Sequence, residues 1–450
     1  MKQRDDISVR RVAADGIDLA ALAAERPDRY PFVFESSAGA VAQSRYDLAL
    51  AFPDDEVTVD SPVRDGAEFF AQLGTGCGNV DSLPGVPFIG GWFFYLGYEM
   101  AGAVEPSLSL PATDSSMWPD AFAVRCPAAI VHDRQTGAVD LVCETPDDGR
   151  LAAMAADVAD TPPLEAPSSI DAEWREQPPS DYCAAVDKAR DYIRAGDIFQ
   201  ANLSRAWHGR LARETAPAEL YAALRAANPA PFSGLLQWRD NALISTSPER
   251  LTSIDDGIIQ TRPIAGTRPR RPDVDQDAVI ADLLANPKER AEHVMLIDLE
   301  RNDLGRVCTP GSVAVDELMV AESYARVHHI VSNIRGALAP EVRYGDALRA
   351  VFPGGTITGC PKVRCMQIIA ELEAEPRGPY TGTFGYVSRC GRLDSNIVIR
   401  SISQRGRDLT LRTGGGIVAD SSAEAELAET RAKARGVLNA FAAHGEWVDG

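Results

Sequence analysis

The stretch that decides the fold lies near the C-terminus, where residues 382–433 read GTFGYVSRCGRLDSNIVIRSISQRGRDLTLRTGGGIVADSSAEAELAETRAK. Apolar and polar residues alternate over 382–413, which predicts three antiparallel strands separated by turns at RCGR and SQRGRD. The chain then passes three glycines and enters a helix from about residue 422, where Ser421 and Glu424 have capping-box spacing. A meander beside a long helix indicates an α+β fold with a large, mostly antiparallel sheet.

Other segments show the same mixture of strands and helices. We predict a helix over 181–195, strands near 241–247 and 258–264 with a turn at PIAGT, and a helix over 287–301 capped by Asn286 with Pro287 at its first position. The N-terminal part indicates sheet with some helix. Five prolines within 160–180 predict a connection between domains. We therefore divide the chain into an N-terminal domain (1–165), a linker (166–180) and a C-terminal domain (181–445).

The charge of the chain is acidic and unevenly placed. The net charge of −20 argues against a nucleic-acid partner. Residues 1–160 carry 11 Lys and Arg against 26 Asp and Glu, a net of −15, so the other 290 residues carry only −5. The C-terminal half would suit an anionic substrate, although a solvated acidic surface on the N-terminal half explains the asymmetry equally well.

Cysteine spacing and the N-terminal residues indicate the compartment. The eight cysteines form no CxxC pair, and the first residues lack the apolar run of a signal peptide, which predicts a reducing, cytoplasmic setting. Residues 85–104 are long enough to cross a membrane. They include five glycines, a proline and Glu99, so we interpret them as buried strand and turn and expect no membrane partner.

Charged residues of the last predicted helix indicate a binding site. Glu426, Glu429 and Lys433 lie on one helical face. The glycines before the helix would let backbone N–H groups approach an anion near its N-terminus. Carboxylates beside an anion suggest a bridging cation, for which Mg²⁺ is the natural candidate. From the pattern alone, a surface helix with charge pairs is the more probable interpretation.

Three further charged residues have two interpretations each. Glu292 lies on an otherwise apolar helix stripe, so it is either at the edge of that stripe or buried with a partner. Glu249 follows a predicted strand and could be a general acid with a raised pKa, or a solvated turn residue. Arg400 ends the run IVIR, pointing opposite to the isoleucines, and could bind a carboxylate or face solvent.

Taken in order, the motifs resemble those of the chorismate-utilising enzymes, which include the anthranilate, aminodeoxychorismate, isochorismate and salicylate synthases. The matching blocks are GDIFQANLSR (196–205), SPERL (247–251), TRPIAGTRPR (261–270), KERAEHVMLIDLERNDLGRV (288–307), HIVSNIRG (329–336), FPGGTITGCPKVRCMQII (352–369), GPYTGTFGY (378–386), DSNIVIRS (394–401) and GGGIVADS with ELAETRAK (414–421, 426–433). YPFVFESS (30–37) and GWFFYLGYEMAG (91–102) resemble the companion domain of the two aminating branches. The resemblance implies large antiparallel sheets that form a sandwich flanked by helices.

The resemblance also implies roles for individual residues. Glutamate side chains of the protein would hold Mg²⁺, and the metal would bind the ring carboxylate of chorismate. Further residues would complete the binding site of that ring carboxylate. The metal ligands would be Glu292 and Glu429, with Glu426 beside them, and the carboxylate's site would include Gly414, Gly415, Gly416 and Lys433. Arg400 and Tyr380 would hold the enolpyruvyl carboxylate. Glu249 would protonate the departing C4 hydroxyl, and Thr356 and His329 would line the pocket.

The residue at position 200 bears on the nucleophile. Branches of the family that add water carry a lysine where this chain has Gln200. A lysine with a lowered pKa could activate water, whereas a neutral glutamine cannot act as that base. Gln200 therefore favours ammonia. The resemblance implies that ammonia comes from a separate glutamine amidotransferase subunit, because no segment of this chain resembles one.

The blocks conflict over which of the two amination reactions is catalysed. Many aminodeoxychorismate synthases carry PIKGT, whose lysine is thought to add to the ring, whereas this chain has PIAGT, as in anthranilate synthases, and Ala265 cannot be a nucleophile. Four blocks resemble the aminodeoxychorismate branch more closely: FPGGTITGCPK (352–362), NPAPFSGLL (228–236), GYEMAGAVEP (97–106) and LDSNIVIRS (393–401). We therefore predict amination at C4 for 4-aminobenzoate and folate synthesis, with amination at C2 to give anthranilate and pyruvate as the alternative.

Two further points follow from the resemblance. Anthranilate synthases bind tryptophan at an LLES-like segment, of which FVFESS keeps Glu35 and Ser36. Tryptophan could bind there structurally or as an inhibitor. A catalytically inactive, metabolite-binding member of the family is a third hypothesis, but the intact acids and bases of the motifs speak against it.

Overall fold

The computed structural model describes residues 7–444, apart from 14–15, 38–44, 64–65, 116, 147–148, 168–169, 271–273, 325–326 and 374. The strands are β1 (Ser8–Val12), β2 (Phe32–Glu35), β3 (Tyr46–Ala51), β4 (Glu56–Val59), β5 (Gly91–Leu96), β6 (Ala121–Cys126), β7 (Ala128–Asp133), β8 (Ala138–Cys143), β9 (Ile170–Glu176), β10 (Gln200–Leu211), β11 (Phe232–Trp238), β12 (Asn241–Ser247), β13 (Arg250–Asp255), β14 (Ile258–Thr261), β15 (Ile264–Pro269), β16 (Ala314–Ser323), β17 (Val327–Ala337), β18 (Gly359–Cys360), β19 (Thr383–Ser388), β20 (Leu393–Asn396), β21 (Ser401–Arg405), β22 (Asp408–Ile417) and β23 (Phe441–His444). The α-helices are α1 (Leu19–Glu25), α2 (Gly66–Gln72), α3 (Ala101–Val104), α4 (Arg150–Asp160), α5 (Pro179–Ala195), α6 (Pro217–Ala227), α7 (Gln276–Ala285), α8 (Pro287–Gly305), α9 (Tyr344–Val351), α10 (Lys362–Leu372) and α11 (Ala423–Leu438), and 3₁₀ turns lie at Tyr98–Met100 and Gly355–Ile357.

The strands form two large sheets. The larger has the order β1-β8-β7-β3-β2-β11-β12-β21-β22-β10-β9-β23, with β18 beside β10. The smaller has the order β15-β17-β14-β13-β20-β19-β5-β6-β4, with β16 beside β17. Neighbouring strands run antiparallel except β9 and β23, which are parallel. The predicted α+β fold with large antiparallel sheets is confirmed.

Successive side chains point to opposite faces of each strand, and the core therefore has three layers. Phe32 of β2 and Phe93 of β5 stack between the two sheets, with ring centroids 3.7 Å apart. The next residue of β2, Val33, points the other way and packs in the core under α1 and α6. Phe94 of β5 packs in the core that α2, α8 and α9 cover on the smaller sheet. The two-residue period of the strands therefore explains a sandwich with helices on both outer faces.

Both sheets combine strands from the two ends of the chain. In the larger sheet β11 pairs with β2, and in the smaller sheet β19 pairs with β5. The predicted linker 166–180 contains β9, a strand of the larger sheet. The division of the sequence into 1–165 and 181–445 stays a prediction, and the two stretches share both sheets.

The opening stretch of sequence folds into four strands, and the prediction of three was wrong. β19 and β20 belong to the smaller sheet, whereas β21 and β22 belong to the larger one. The chain crosses between the sheets at residues 397–400, and Arg400 adopts a left-handed φ of 53°. The apolar alternation continues through this crossing, because Ile397 and Val398 are buried in different cores. The apolar alternation of the sequence therefore does not indicate where the chain leaves the smaller sheet for the larger one.

Local predictions in the C-terminal half were mostly confirmed. The helices at 181–195 and 287–301 and the strand at 241–247 are α5, α8 and β12, and the Asn286 side chain accepts hydrogen bonds from two amides of α8. Two details were wrong. PIAGT is not a turn, because β15 starts at Ile264 and pairs with β17. The cap of α11 is Ser422, since the Ser421 hydroxyl bonds to Glu426 instead.

The apolar stretch 85–104 is folded as expected. It contains β5, the 3₁₀ turn Tyr98–Met100 and the four-residue helix α3. Within the described residues, no helix has the length and apolar character needed to cross a bilayer.

Candidate active site

Glu249 is a buried acid of the site and lies between β12 and β13. Its backbone N–H donates to Ser247 Oγ (3.2 Å), and its carbonyl accepts from the Ile397 amide (3.0 Å), which fixes the connection. Thr356 Oγ1 donates to Glu249 Oε1 at 2.8 Å. Burial raises the pKa of Glu249 to about 8, with the Thr356 hydrogen bond opposing this shift and the charge of Glu300 adding to it. Glu249 is therefore protonated at neutral pH, as a general acid must be.

Gln200 and Glu292 form the next part of the site. Gln200 is the first residue of β10, and its Nε2 donates to Glu292 Oε1 on α8 at 2.9 Å. Burial raises the pKa of Glu292, and the hydrogen bond from Gln200 opposes the shift. Within the described residues, the Gln200 Oε1 atom is buried without a hydrogen-bond partner. Glu292 thus has a partner in Gln200, as one of its two interpretations required.

The three glycines lie in a strand, so the prediction that they form a loop at a helix N-terminus was wrong, whereas their binding of the substrate carboxylate stays a prediction. Gly414, Gly415 and Gly416 belong to β22 and pair with β10. The absence of a Cβ atom at these positions lets other side chains approach the strand closely. A Cβ atom on Gly414 would lie 2.9 Å from the Tyr380 hydroxyl, and one on Gly416 would lie 2.1 Å from Gln200 Nε2. Glycine at these positions lets both side chains lie flat against the strand.

Helix α11 places its charged residues over this strand. The Glu426 carboxylate accepts a hydrogen bond of 2.6 Å from Ser421 Oγ, and burial raises its pKa. Lys433 Nζ donates to the Gly414 carbonyl at 2.8 Å and pairs with Glu429 Oε1 at 2.7 Å. The predicted face of Glu426, Glu429 and Lys433 is therefore directed at the glycine strand.

The carboxylates have the donor chemistry that Mg²⁺ prefers. A Cβ atom on Gly415 would lie 3.0 Å from Glu426 Oε2 and 3.7 Å from Glu429 Oε1, so two carboxylates converge there. Glu292 on α8 is close enough to Glu429 for their charges to interact. Within the described ranges no three acidic, His or Cys side chains already stand at metal-binding spacing. Mg²⁺ needs only a few carboxylates besides water and substrate oxygens, so the donor set fits, and magnesium stays a prediction.

Arg400 and Tyr380, the two residues predicted to bind the enolpyruvyl carboxylate, lie close enough for their charges to interact. The Arg400 carbonyl accepts from the Thr246 amide (3.2 Å) and hydroxyl (3.0 Å), which holds the residue at its left-handed φ. Across the described part of the chain its guanidinium makes no ion pair or hydrogen bond. Burial lowers the pKa of Arg400, and burial raises the pKa of Tyr380 to about 12. A half-buried cation beside a neutral hydroxyl is suited to a substrate carboxylate.

His329 and Ala265 lie on the neighbouring strands β17 and β15. His329 Nδ1 is 2.9 Å from Thr267 Oγ1, and burial lowers the pKa of His329 to about 4, so the ring is neutral at pH 7. Ala265 is buried opposite Ile330. It offers only a methyl group where a lysine of the PIKGT type would stand.

A buried ionic network that the sequence did not reveal supports the strand behind Tyr380. Glu373 accepts hydrogen bonds from the Ser204 amide (2.8 Å), Arg377 Nη2 (2.7 Å) and Arg412 Nη2 (3.0 Å). Burial alone would raise the pKa of Glu373, but the two guanidinium groups outweigh it and lower that pKa. The only signal was an acid and an arginine four residues apart, just before the GPYTGTFGY block.

The predicted regulatory residues lie apart from these groups, on β2 and just after it. Arg225 Nη1 donates to Glu35 at 2.9 Å, while Arg225 Nη2 donates to Asp18 at 2.8 Å. The Ser36 amide donates to Asp47 Oδ1 at 2.9 Å. A cavity of about 90 Å³ lies beside Glu35 and is also lined by Phe34 and Ser233. Tryptophan binding there stays a prediction.

A groove of about 940 Å³ opens beside Gln200 and Glu292. Three apolar side chains on its walls are unusually exposed: Phe199 (70%), Val294 (48%) and Val363 (38%). A groove with exposed apolar side chains on its walls is a candidate contact surface.

Comparison with known proteins decides the family. Residues 34–439 match the family model described as chorismate binding enzyme. The chain belongs to this family. The description of the family names chorismate as the compound that its members bind.

Relatives within the chorismate-binding family carry two different names. The chain is 40% identical over 368 residues to the "Anthranilate synthase component I-like protein" of Synechocystis sp., covering 79% of this chain and 73% of that protein. It is also 40% identical over 359 residues to the aminodeoxychorismate synthase component 1 of Escherichia coli (strain K12), covering 78% and 77%. The crystal structure of anthranilate synthase component I from Streptococcus pneumoniae TIGR4 superposes with a TM-score of 0.77 at 31% identity, covering 88% and 92%. Identity therefore does not choose between the two reactions.

Arg400→Met is expected to raise KM for chorismate by about 10- to 100-fold, because a charge-assisted hydrogen bond contributes about 1.5–3 kcal/mol. Steady-state kinetics with chorismate as the varied substrate measure the effect. Arg210→Met is the matched control, since Arg210 lies on β10 with its side chain 60% exposed in a surface pair with Asp408. An unchanged KM in Arg400→Met would show that this guanidinium does not bind the substrate.

Proposed function

We propose that this enzyme replaces the C4 hydroxyl of chorismate with an amino group from ammonia, giving 4-amino-4-deoxychorismate for 4-aminobenzoate and folate synthesis. The observation that carries the proposal is Glu249, a buried acid that remains protonated at neutral pH within reach of Thr356. Gln200 supports ammonia over water as the nucleophile, since its amide is engaged with Glu292 and cannot serve as a base.

The proposed reaction uses the residues of the site in sequence. Arg400 and Tyr380 bind the enolpyruvyl carboxylate. Glu249 gives its proton to the C4 hydroxyl, the C4–O bond breaks and water leaves. Ammonia forms the new C–N bond, and its surplus proton returns to the Glu249 carboxylate, which regenerates the acid. When bound by Glu292, Glu426 and Glu429, Mg²⁺ would neutralise the ring carboxylate.

Ala265 separates this proposal from a route through a covalent lysine adduct. With only a methyl group at that position, ammonia must attack the ring directly. The same residue supports the second candidate function, which is attack at C2 followed by loss of pyruvate to give anthranilate. The four sequence blocks that resemble the aminodeoxychorismate branch support attack at C4.

We also propose a glutamine amidotransferase subunit as the source of ammonia, in the cytoplasm. The groove with exposed Phe199, Val294 and Val363 supports such a partner, because it is also lined by Gln200, near which the nucleophile is expected. All eight cysteines carry free thiols, which suits a reducing compartment.

Product analysis tests the proposed reaction. The purified protein is incubated with chorismate, Mg²⁺ and excess ammonium at mildly basic pH, and the products are separated by chromatography with mass detection. We expect 4-amino-4-deoxychorismate without pyruvate. Fluorescent anthranilate with an equal amount of pyruvate would establish the second candidate instead, and the absence of turnover would support an inactive member of the family.

A further inference from the structure

A second buried acid stands close to Glu249. Glu300 on α8 is 6% exposed, and its carboxylate lies against the 3₁₀ turn Gly355–Ile357, because a Cβ atom on Gly355 would lie 3.2 Å from Glu300 Oε1. The next residue of that turn, Thr356, donates its hydroxyl hydrogen to Glu249. The turn is therefore in contact with two buried acids.

The charged groups around Glu300 leave it without a cation of its own. Lys362 on α10 donates to Asp303 at 2.5 Å, and Asp303 is itself buried on α8. Among the residues that the structure describes, Glu300 forms no ion pair; the charged groups that act on it include Asp303, Lys362 and Glu249, and the Gly355 backbone and Thr261 also interact with its carboxylate. Burial raises the pKa of Glu300, and the charge of Asp303 adds to the shift while Lys362 opposes it.

We propose that Glu300 is a positioning residue for the general acid. It supports the Gly355–Ile357 turn that presents Thr356 to Glu249, and its negative charge keeps the proton on Glu249 in the mildly basic range. This inference rests on the proposed role of Glu249 as the proton donor to chorismate.

The physical reason is repulsion between the negative charges of Glu300 and Glu249. Both side chains are buried, so water screens this repulsion only weakly. Once Glu300 has lost its proton, ionisation of Glu249 would place a second negative charge against the same turn. Lys433 is a basic side chain that opposes this effect at Glu249, and its ammonium is already paired with Glu429. Glu300 therefore extends the pH range in which Glu249 can donate.

The test is the pH profile of kcat/KM for chorismate in Glu300→Gln, with ammonium as the nitrogen source. Glutamine keeps the shape but removes the charge, so the pKa of Glu249 falls and the alkaline limb moves to lower pH by at least about 0.5 unit. Activity changes little in the acidic range, because Glu300 is then protonated in the wild type as well. Glu300→Met, which also lacks the charge, gives a second reading of the same shift if Glu300→Gln folds poorly.

Two controls separate positioning from simple structural support. Asp298→Asn makes the same charge change on an exposed part of α8 and should leave the profile unchanged. In a double-mutant cycle with Thr356→Val, non-additive effects are expected, since Glu300 acts through the turn. An alkaline limb that stays in place in both Glu300 variants, or a lowered melting temperature alone, would overturn the inference. Absence of turnover in the wild type would instead overturn the proposed function.

Discussion

Glu249→Gln is expected to lower kcat for chorismate amination by about 10²- to 10⁴-fold, the usual contribution of a general acid. Glutamine keeps the size of the side chain, and its carbonyl can still accept the Thr356 hydroxyl hydrogen, so the site is expected to stay folded. The glutamine side chain, however, has no acidic proton to give to the C4 hydroxyl. The C4–O bond must then break with hydroxide as the leaving group, which is far less favourable.

Initial rates with chorismate and ammonium measure the loss, and binding of chorismate is followed separately. We expect Kd to change little, because the acid acts on the bond that breaks. Glu173→Gln, at an exposed position on β9, is the control and should match the wild type. A Glu249→Gln enzyme with wild-type kcat would show that Glu249 does not take part in the reaction.

In the wild type, kcat/KM for chorismate should fall above a pH of about 8, where Glu249 loses its proton.

Glu373→Ala is expected to lower the free energy of unfolding by about 3–5 kcal/mol, the cost of removing one partner from a buried ion pair. Arg377 is 3% exposed and Arg412 is 5% exposed, so both guanidinium groups would lose their carboxylate inside the protein. Urea unfolding followed by circular dichroism measures the loss. Glu375→Ala is the matched control two residues away, because its side chain is 48% exposed and should contribute less than about 0.5 kcal/mol.

The stability effect of Glu373 also has a defined pH dependence. Its pKa is lower in the folded protein than in the unfolded chain, so its contribution is present above the unfolded value of about 4.3 and is lost as the pH falls below it. The difference in the free energy of unfolding between the wild type and Glu373→Ala should therefore become smaller at acidic pH. A constant difference from neutral pH down to about pH 3 would show that the carboxylate is not the stabilising form.

The sequence predicted those features that depend on neighbouring residues. Asn286 and Pro287 begin α8 as their order requires, and Glu249 follows its strand as predicted. The roles of the glycines in β22 could not be predicted, because the pattern GGG is the same in a loop and in a strand against which Gln200 and Tyr380 pack. The difference lies in contacts with residues elsewhere in the chain, since Gln200 is 216 positions from Gly416 and Tyr380 is 34 positions from Gly414.

Long-range contacts also explain why the crossing at Arg400 and the network of Glu373 were missed. The alternation of Ile397 and Val398 satisfies two different cores, and the sequence does not show that the sheet changes between them. Glu373 and Arg377 look like a surface pair, and only the fold brings Arg412 to them from β22. Carboxylates that end up buried leave no local pattern, since their partners come from other elements.

The pairing of β5 with β19 has a consequence for synthesis on the ribosome. Leu96 pairs with Thr383, which is 287 positions later in the chain. At a typical rate of 5–20 residues per second, roughly 15–60 s pass between the appearance of the two strands. During that interval β5 can pair with β6 but keeps one edge open. The nascent chain must therefore shield an apolar strand edge until almost the whole protein has emerged, which makes this step a natural point of contact with chaperones.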